Sequence, residues 1–263
     1  RSEKIIAKVL ESRGGKRDVV VATKAGRKLS PHVAGAYTVP AITGFIEQSL
    51  KNLEVDALDV LQLHCPPTPV YANAELFGGL EKLVKAGKLK YYGVSVQTVD
   101  EALTAMQFPI VSIQIIFNMF RQKPIETLFD LAKKNNVAIV ARVPLASGLL
   151  TGKMKADTQF GKDDHRNYNR HGEAFDVGET FSGVDYPTAL KAVDKLRPLV
   201  ADYSKGGGTT MAAMALRWIL MHDAVTVAIP GAKNAEQAVA NAAAGNLPPL
   251  TAEQMAAVKK VYD

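Results

Sequence analysis

The sequence predicts an α/β fold with parallel strands, and three observations support this. Six short apolar segments alternate with helical patterns along the 263 residues, as strands joined by helical crossovers do. No G-x-G-x-x-G turn follows a strand, although an open dinucleotide-binding sheet would usually show one. Five consecutive predicted strands end in a polar side chain: Lys24, His64, Ser95, Gln114 and Arg142. A doubly wound sheet and a barrel both remain open, and a barrel needs two more strands than we find.

The composition is that of a globular protein with a modest positive charge. Hydrophobic residues make up 47% of the chain and charged residues 22%, and the formal net charge is +6. No dense Lys/Arg run concentrates that charge, so nucleic-acid binding is not predicted, although an anionic ligand would be attracted. No apolar run of about 18 residues predicts a membrane span. The single cysteine, Cys65, favours a reducing compartment, so we expect a cytoplasmic location.

The first part of the chain alternates helix and strand with short connections. Apolar spacing predicts helices at 2–12, 39–53, 73–86 and 98–107, and strands at 18–24, 58–64, 89–95 and 110–117. Ser2 is the expected N-cap of the first helix, and Gly14-Gly15 should end it.

The second part continues the alternation around one long interruption. The predicted helices are 124–135, 188–203, 209–222, 234–244 and 251–262, and the strands are 137–143 and 225–229. Residues 154–187 are polar and poorly periodic, which indicates a lid or binding loop. Gly206 to Gly208 separates two helices. Thr251 and Gln254 form a predicted capping box.

Lys24 and His64 are the candidate catalytic residues. Each ends an apolar strand and runs into a loop, so the two would form walls of one site at the mouth of a parallel barrel. Taken singly, each is more simply explained as a rim residue. The recurrence of polar residues at equivalent strand ends favours a site.

The last helix pair begins with a candidate phosphate site. Lys233, Gln237 and Asn241 follow Gly231 at i, i+4 and i+8, so they share one helix face. A cation beside a helix N-terminus suits a phosphate, and amide side chains suit the edge of an adenine. A solvated helix face explains the spacing about equally well.

Nearly the whole chain resembles the aldo-keto reductase family. The matching positions are 21–24, 59–64, 93–95, 144–153 and 229–233, together with Gln114 and Asn118. The resemblance implies a (β/α)8 TIM-type barrel. It also implies that the protein binds NADP(H) and reduces the carbonyl group of a small-molecule substrate, an aldehyde or a ketone. Residues 1–263 would then be a single domain carrying six of the eight βα units, with the N-terminal part missing.

Lys24 and His64 resemble two members of the family's Asp-Tyr-Lys-His tetrad. In that family the tyrosine donates a proton to the carbonyl oxygen, and a nearby ammonium group lowers the pKa of the phenol. The histidine orients the carbonyl as an oxyanion donor would. The tetrad's aspartate and tyrosine lie, in the family, before the helix that begins here at Arg1. We therefore expect either a longer native protein or a shortened form.

The resemblance also assigns a cofactor site. Ser95, Gln114 and Asn118 resemble the contacts of the nicotinamide carboxamide. Lys233 resembles the contact of the 2′-phosphate, and Gln237 and Asn241 those of the adenine. The other matched positions are Pro144, Leu145, Ser147, Gly148, Leu149, Thr151, Lys153 and Gly231, of which 147, 148, 149 and 151 resemble the loop over the pyrophosphate. Arg142 stands where many relatives carry an aromatic side chain, and its guanidinium group can also stack.

Three functions are consistent with these residues. The first is an NADPH-dependent carbonyl reductase whose loops, 25–38 and 154–187, select the substrate. The second is a non-catalytic relative that binds a nucleotide and regulates a partner. The third is an aldolase that forms a Schiff base at Lys24, which borohydride trapping would detect.

Other candidate residues are set aside. His165 and His171 lie in the long loop without the spacing of metal ligands, so no metal site is predicted. The arginines of that loop, Arg166 and Arg170, are a weaker candidate for binding an anionic substrate. Tyr91 and Tyr92 lie at the beginning of a strand, which is the wrong end for a replacement acid.

Overall fold

The computed structural model describes residues 1–14, 18–174, 179–204 and 207–263. These residues form two compact units, 1–114 and 115–263. Gly15 and Gly206, which we predicted to separate elements, lie outside the described residues, as do 175–178 of the predicted long loop. The assignment of 1–263 to one domain stays a prediction.

The first unit alternates helices with parallel strands. Its strands pair in the order β1-β2-β3-β4. The elements are α1 (Ser2–Ser12), β1 (Ala22–Ala25), α2 (Val39–Leu53), β2 (Leu58–His64), α3 (Ala74–Lys85), β3 (Leu89–Ser95), α4 (Val99–Ala105) and β4 (Ser112–Ile116). The last two residues of β4 belong to the second unit. Leu61 and Leu63 of β2 are buried in the core of the first unit with Phe77 of α3.

The second unit contains the remaining elements. They are α5 (Leu128–Lys134), β5 (Ala138–Arg142), α6 (His165–Tyr168), α7 (Tyr186–Tyr203), α8 (Met211–Ile219), β6 (Val225–Ala228), α9 (Ala235–Ala243) and α10 (Ala252–Tyr262). Strands β5 and β6 are parallel neighbours. Phe117 and Trp218 stack in the core of this unit with ring centroids 5.1 Å apart.

Side-chain caps explain why several helices begin where they do. Thr38 and Asn73 each accept a hydrogen bond from the backbone N–H three residues on, at the start of α2 and α3. The capping box of Thr251 and Gln254 at α10 is confirmed. The cap predicted for Ser2 is wrong, because Arg1 occupies the N-cap position and Ser2 is already helical.

Several predicted elements are shorter in the structure, and two of them show why. The strand predicted at 18–24 begins only at Ala22, where its pairing with β2 starts. Asp18 instead accepts a hydrogen bond from Arg13 at 2.6 Å. The helix predicted at 124–135 is divided into a 3-10 turn, Lys123–Ile125, and α5, because Thr127 departs from helical backbone angles.

The described part of the long loop contains packed structure. Besides α6, it has a 3-10 turn at Phe181–Gly183, and α7 already begins at Tyr186. The Arg166 guanidinium lies 4.5 Å from the ring centroid of Phe160 and forms a short ion pair with Asp164. These contacts account for Arg166 within the loop itself.

Candidate active site

Lys24 and His64 project from the same face of the β1–β2 pair. The register places Lys24 opposite Gln62, so His64 lies two residues further along β2. Because side chains alternate along a strand, Gln62, His64 and Lys24 share a face. Both candidate residues are half-buried. The expectation that they end their strands at matching positions is therefore wrong by two residues.

His64 lies in one row with two other candidate residues. It pairs with Ser95 on β3, and Ser95 pairs with Gln114 on β4. Ser95 is fully buried, and its carbonyl oxygen accepts hydrogen bonds from the Cys65 N–H at 3.1 Å and the Tyr71 hydroxyl at 2.9 Å. The predicted site residues of the first unit, Lys24 included, thus lie on four adjacent strands.

A buried polar cluster lies next to this row. Gln62 donates from Nε2 to Oγ of Ser112 at 3.1 Å, and its Oε1 accepts from Nε2 of Gln114 at 2.8 Å. The strand between them carries Gly93, which pairs with Gln62. A Cβ atom on Gly93 would overlap the carbonyl oxygen and the hydroxyl of Ser112. The missing side chain therefore makes room for contacts that cross from β2 to β4.

The tyrosines of β3 are unsuited to proton donation. Tyr91 is 55% exposed and lies opposite Val60, towards the beginning of β2. Burial and the charge of Glu81 raise the pKa of Tyr92 to about 12. A phenol with a raised pKa is a poorer acid, which supports setting both aside.

In the second unit, the end of β5 carries a buried ion pair. Arg142 donates from Nη1 to Oε1 of Glu179 at 2.7 Å, and the arginine side chain is only 6% exposed. Burial and the neighbouring positive charge of Arg142 lower the pKa of Arg121. Two arginines thus lie near one another here, and Glu179 balances the charge of Arg142.

Asn118 shapes the turn after β4. Its Nδ2 donates to the carbonyl oxygen of Val143 at 2.9 Å, and its Oδ1 accepts from the N–H of Phe120 at 2.9 Å. Both ends of this buried amide are therefore used by backbone groups. That arrangement holds the β4 and β5 loops together within the unit.

The segment after β5 contains consecutive left-handed residues. The 3-10 turn Ala146–Thr151 has Ser147 at φ 55° and Gly148 at φ 98°. Ser147 Oγ donates to the carbonyl oxygen of Glu179 at 2.7 Å, and Thr151 Oγ1 donates to that of Gly148 at 2.7 Å. Pro144 and Leu149 are buried, whereas Leu145 is half-buried and Lys153 is exposed.

The start of α9 is organised by amide side chains. Asn234 caps the helix by accepting from the N–H of Gln237 at 2.9 Å, and Oε1 of Gln237 accepts from the N–H of Lys233 at 2.9 Å. Asn241 Nδ2 donates to the carbonyl oxygen of Gly231 at 3.1 Å. Lys233 is exposed beside the helix N-terminus. A cation at this position fits the phosphate of a nucleotide.

Two residues of these sites, Gln62 and Glu179, were not predicted from the sequence. Gln62 interrupts the apolar run of β2 on the face of His64, and this alternation is a signal that could have identified it. Glu179 lies in an aperiodic polar segment, and no sequence pattern connects it with Arg142.

None of the helices described is long and apolar enough to cross a membrane. Among the residues that the structure describes, no three His, Cys, Asp or Glu side chains are grouped as metal ligands would be.

Comparison with known proteins places the chain in a family. An aldo-keto reductase from Strobilurus tenacellus is 30% identical over all of this chain and 74% of its own length. The aldo-keto reductase YhdN of Bacillus subtilis is 29% identical over 90% of this chain and 68% of its own. The solved structure of a glycerol dehydrogenase from Gluconobacter oxydans is 28% identical, with a TM-score of 0.76 over 99% of this chain and 76% of that one.

This structural likeness confirms the predicted fold class, an α/β barrel, of which the described residues form six strands. The model of the Aldo/keto reductase family matches residues 1–263, the full extent of the sequence. Members of this family are oxidoreductases that act on carbonyl groups. The chain belongs to the aldo/keto reductase family.

Proposed function

We propose that this protein uses NADPH to reduce an aldehyde or a ketone to an alcohol. The observation that carries the proposal is the shared face of Lys24 and His64, with His64 in one row with Ser95 and Gln114. Membership of the family supports an oxidoreductase acting on a carbonyl group. The choice of NADPH and the roles of individual residues are part of the proposal.

The chemistry divides between the cofactor and the protein. A bound nicotinamide cofactor would supply the hydride. In our proposal His64 donates a hydrogen bond to the carbonyl oxygen, where negative charge develops as the carbonyl is reduced. Lys24 contributes a positive charge that lowers the pKa of a neighbouring proton donor. Both tasks need groups on one face of the sheet, which the β1–β2 register provides.

The preference for NADPH rests on the second unit. Lys233 is exposed beside the N-terminus of α9, where a phosphate would meet both a cation and helix N–H groups. A relative from Schizosaccharomyces pombe, 25% identical over 88% of this chain, is named as an aldo-keto reductase with NADP(+).

The single thiol, that of Cys65, is buried and supports a cytoplasmic location as part of the proposal.

The test measures binding and turnover separately on the native full-length protein. NADPH binding is followed by cofactor fluorescence, and turnover by carbonyl-dependent oxidation of NADPH. Lys24→Met should lower turnover about 100-fold or more while the Kd for NADPH changes less than about twofold. Lys51→Met, at an exposed position on α2, is the control and should leave both quantities unchanged. Turnover retained by Lys24→Met would refute the catalytic role.

A second function is favoured by one relative. A protein of Arabidopsis thaliana, 28% identical over 95% of this chain, is named a probable voltage-gated potassium channel subunit beta. A nucleotide-binding regulator would bind NADPH but oxidise none with a broad panel of aldehydes and ketones. That outcome would favour regulation over catalysis.

A further inference from the structure

Gln62 is a buried polar residue for which the proposed chemistry has no use. It is 1% exposed and lies between the buried residues Leu61 and Leu63. An uncharged amide at such a position is costly unless both its donor and its acceptor are satisfied. Leucine or methionine would fill the same volume without that cost.

Both ends of the Gln62 amide are satisfied by side chains two strands away. Nε2 donates to Ser112 Oγ at 3.1 Å, and Oε1 accepts from Gln114 Nε2 at 2.8 Å. The contact is possible because β3 carries Gly93 opposite Gln62. Gln62 therefore reaches over a strand to touch the side chain of a candidate cofactor contact.

In the structure this contact leaves the oxygen of the Gln114 amide available to a ligand. The nitrogen and oxygen of an amide diverge from one carbon atom, so engaging Nε2 with Gln62 directs Oε1 away from it. Oε1 is a hydrogen-bond acceptor and suits a ligand that presents N–H donors. A carboxamide has such donors, whereas a carboxylate has none and would be repelled by the oxygen.

We infer that Gln62 is a positioning residue that orients the amide of Gln114, so that this site selects a nicotinamide carboxamide over the corresponding carboxylate. The inference rests on the proposed function, because it takes Gln114 to contact the nicotinamide end of NADP(H). Ser112 supports Gln62 from the other side by accepting its N–H. Without Gln62, the Gln114 amide could rotate and present either atom.

The experiment compares three ligands by fluorescence or calorimetric titration of the full chain. NADP+ carries the carboxamide, its nicotinic acid analogue carries a carboxylate, and 2′,5′-ADP lacks the nicotinamide end. Gln62→Met should weaken NADP+ binding about tenfold, as the loss of one well-oriented hydrogen bond does. Its preference for NADP+ over the nicotinic acid analogue should also fall by about that factor. Binding of 2′,5′-ADP should change less than about twofold.

Further variants separate positioning from general loss of structure. Gln62→Glu retains an acceptor for Gln114 Nε2 and should keep most of the preference. Gln62→Asn is one methylene too short to reach Gln114 and should behave as Gln62→Met, which provides a second test if the methionine variant does not fold. Gln114→Met should abolish the preference by itself, and adding Gln62→Met to it should have no further effect.

Several outcomes would overturn the inference. The inference fails if Gln62→Met and Gln62→Asn both keep the wild-type preference for NADP+ over its nicotinic acid analogue. It also fails if these variants lose as much affinity for 2′,5′-ADP as for NADP+. Additive effects of the Gln62 and Gln114 substitutions would also contradict it. If the wild-type chain binds 2′,5′-ADP but shows no preference for NADP+ over its analogue, the inference fails while the nucleotide site stands. If it binds none of the three, the proposed function fails and the inference with it.

Discussion

The carboxylate of Glu3 accepts a hydrogen bond from the Thr23 hydroxyl at 2.6 Å, and Thr23 is the residue before Lys24. The same carboxylate accepts from Ser49 at 2.7 Å and from Asn52 at 2.8 Å, both on α2. Helix α1 is thereby tied to α2 and to the strand that carries Lys24. A residue of the first helical turn thus helps to place a candidate catalytic side chain.

Glu3→Gln should destabilise the first unit by about 1–2 kcal/mol, because hydrogen bonds to a charged acceptor are lost or weakened. Urea unfolding would measure this. Burial raises the pKa of Glu3, but the three hydrogen bonds outweigh it and lower the pKa below 4.5. The contribution of Glu3 is therefore complete above pH 4.5 and is lost as the pH falls below that value. Glu11→Gln, an exposed position on the same helix, should have little effect. Equal losses in the two variants would contradict the prediction.

Gly93→Ala should be strongly destabilising, because the new methyl group overlaps the backbone oxygen and the side chain of Ser112. We expect a loss of roughly 1–3 kcal/mol or more, together with weaker NADPH binding. The matched control is Gly78→Ala in α3, where a Cβ atom would meet nothing within 4 Å. That variant should gain about 0.5–1 kcal/mol from helix propensity. Thermal unfolding of both variants measures these changes in stability. If Gly93→Ala is as stable as the wild type, Ser112 can move aside.

His222 should make the second unit less stable in mild acid. Its ring lies 4.7 Å from that of Trp218 and 5.0 Å from that of Phe117, between ring centroids. Burial lowers the pKa of His222 from 6.5 to about 4, although Asp223 partly opposes this. Because the unfolded chain takes up the proton first, stability is complete above pH 6.5 and falls between pH 6.5 and about 4.

The loss from His222 should amount to roughly 3 kcal/mol. The His222→Phe variant should lack this part of the pH dependence of stability. The control, His171→Phe, changes an exposed loop position and should retain it. Denaturant unfolding at several pH values measures the difference. If the plots of unfolding free energy against pH run parallel for the wild type and His222→Phe, then His222 is readily protonated in the folded state.

Lys233→Met should reduce the preference for NADPH over NADH. Losing a charge-assisted contact with a phosphate should weaken NADPH binding about tenfold, and NADH, which lacks the 2′-phosphate, should bind as before. Lys195→Met, an exposed position on α7, controls for the change in net charge. Equal affinities for the two cofactors in the wild type would show that Lys233 does not contact the 2′-phosphate.

The sequence by itself determined the order of strands and helices and the positions of Lys24 and His64 near strand ends. Apolar periodicity and capping residues are local properties, so β2, β3 and the Thr251 cap followed from neighbouring residues alone. The boundaries predicted at 18–24 and 124–135 were wrong because strand pairing and the backbone at Thr127 depend on contacts outside those windows.

Only the tertiary structure decided which side chains meet. The register that sets Lys24 opposite Gln62 arises from the packing of two strands 38 residues apart along the chain. The Gln62–Gln114 hydrogen bond joins residues 52 positions apart and depends on a glycine in a third strand. Such contacts are selected by the close packing of the whole unit, whereas a sequence pattern records only the preferences of each segment.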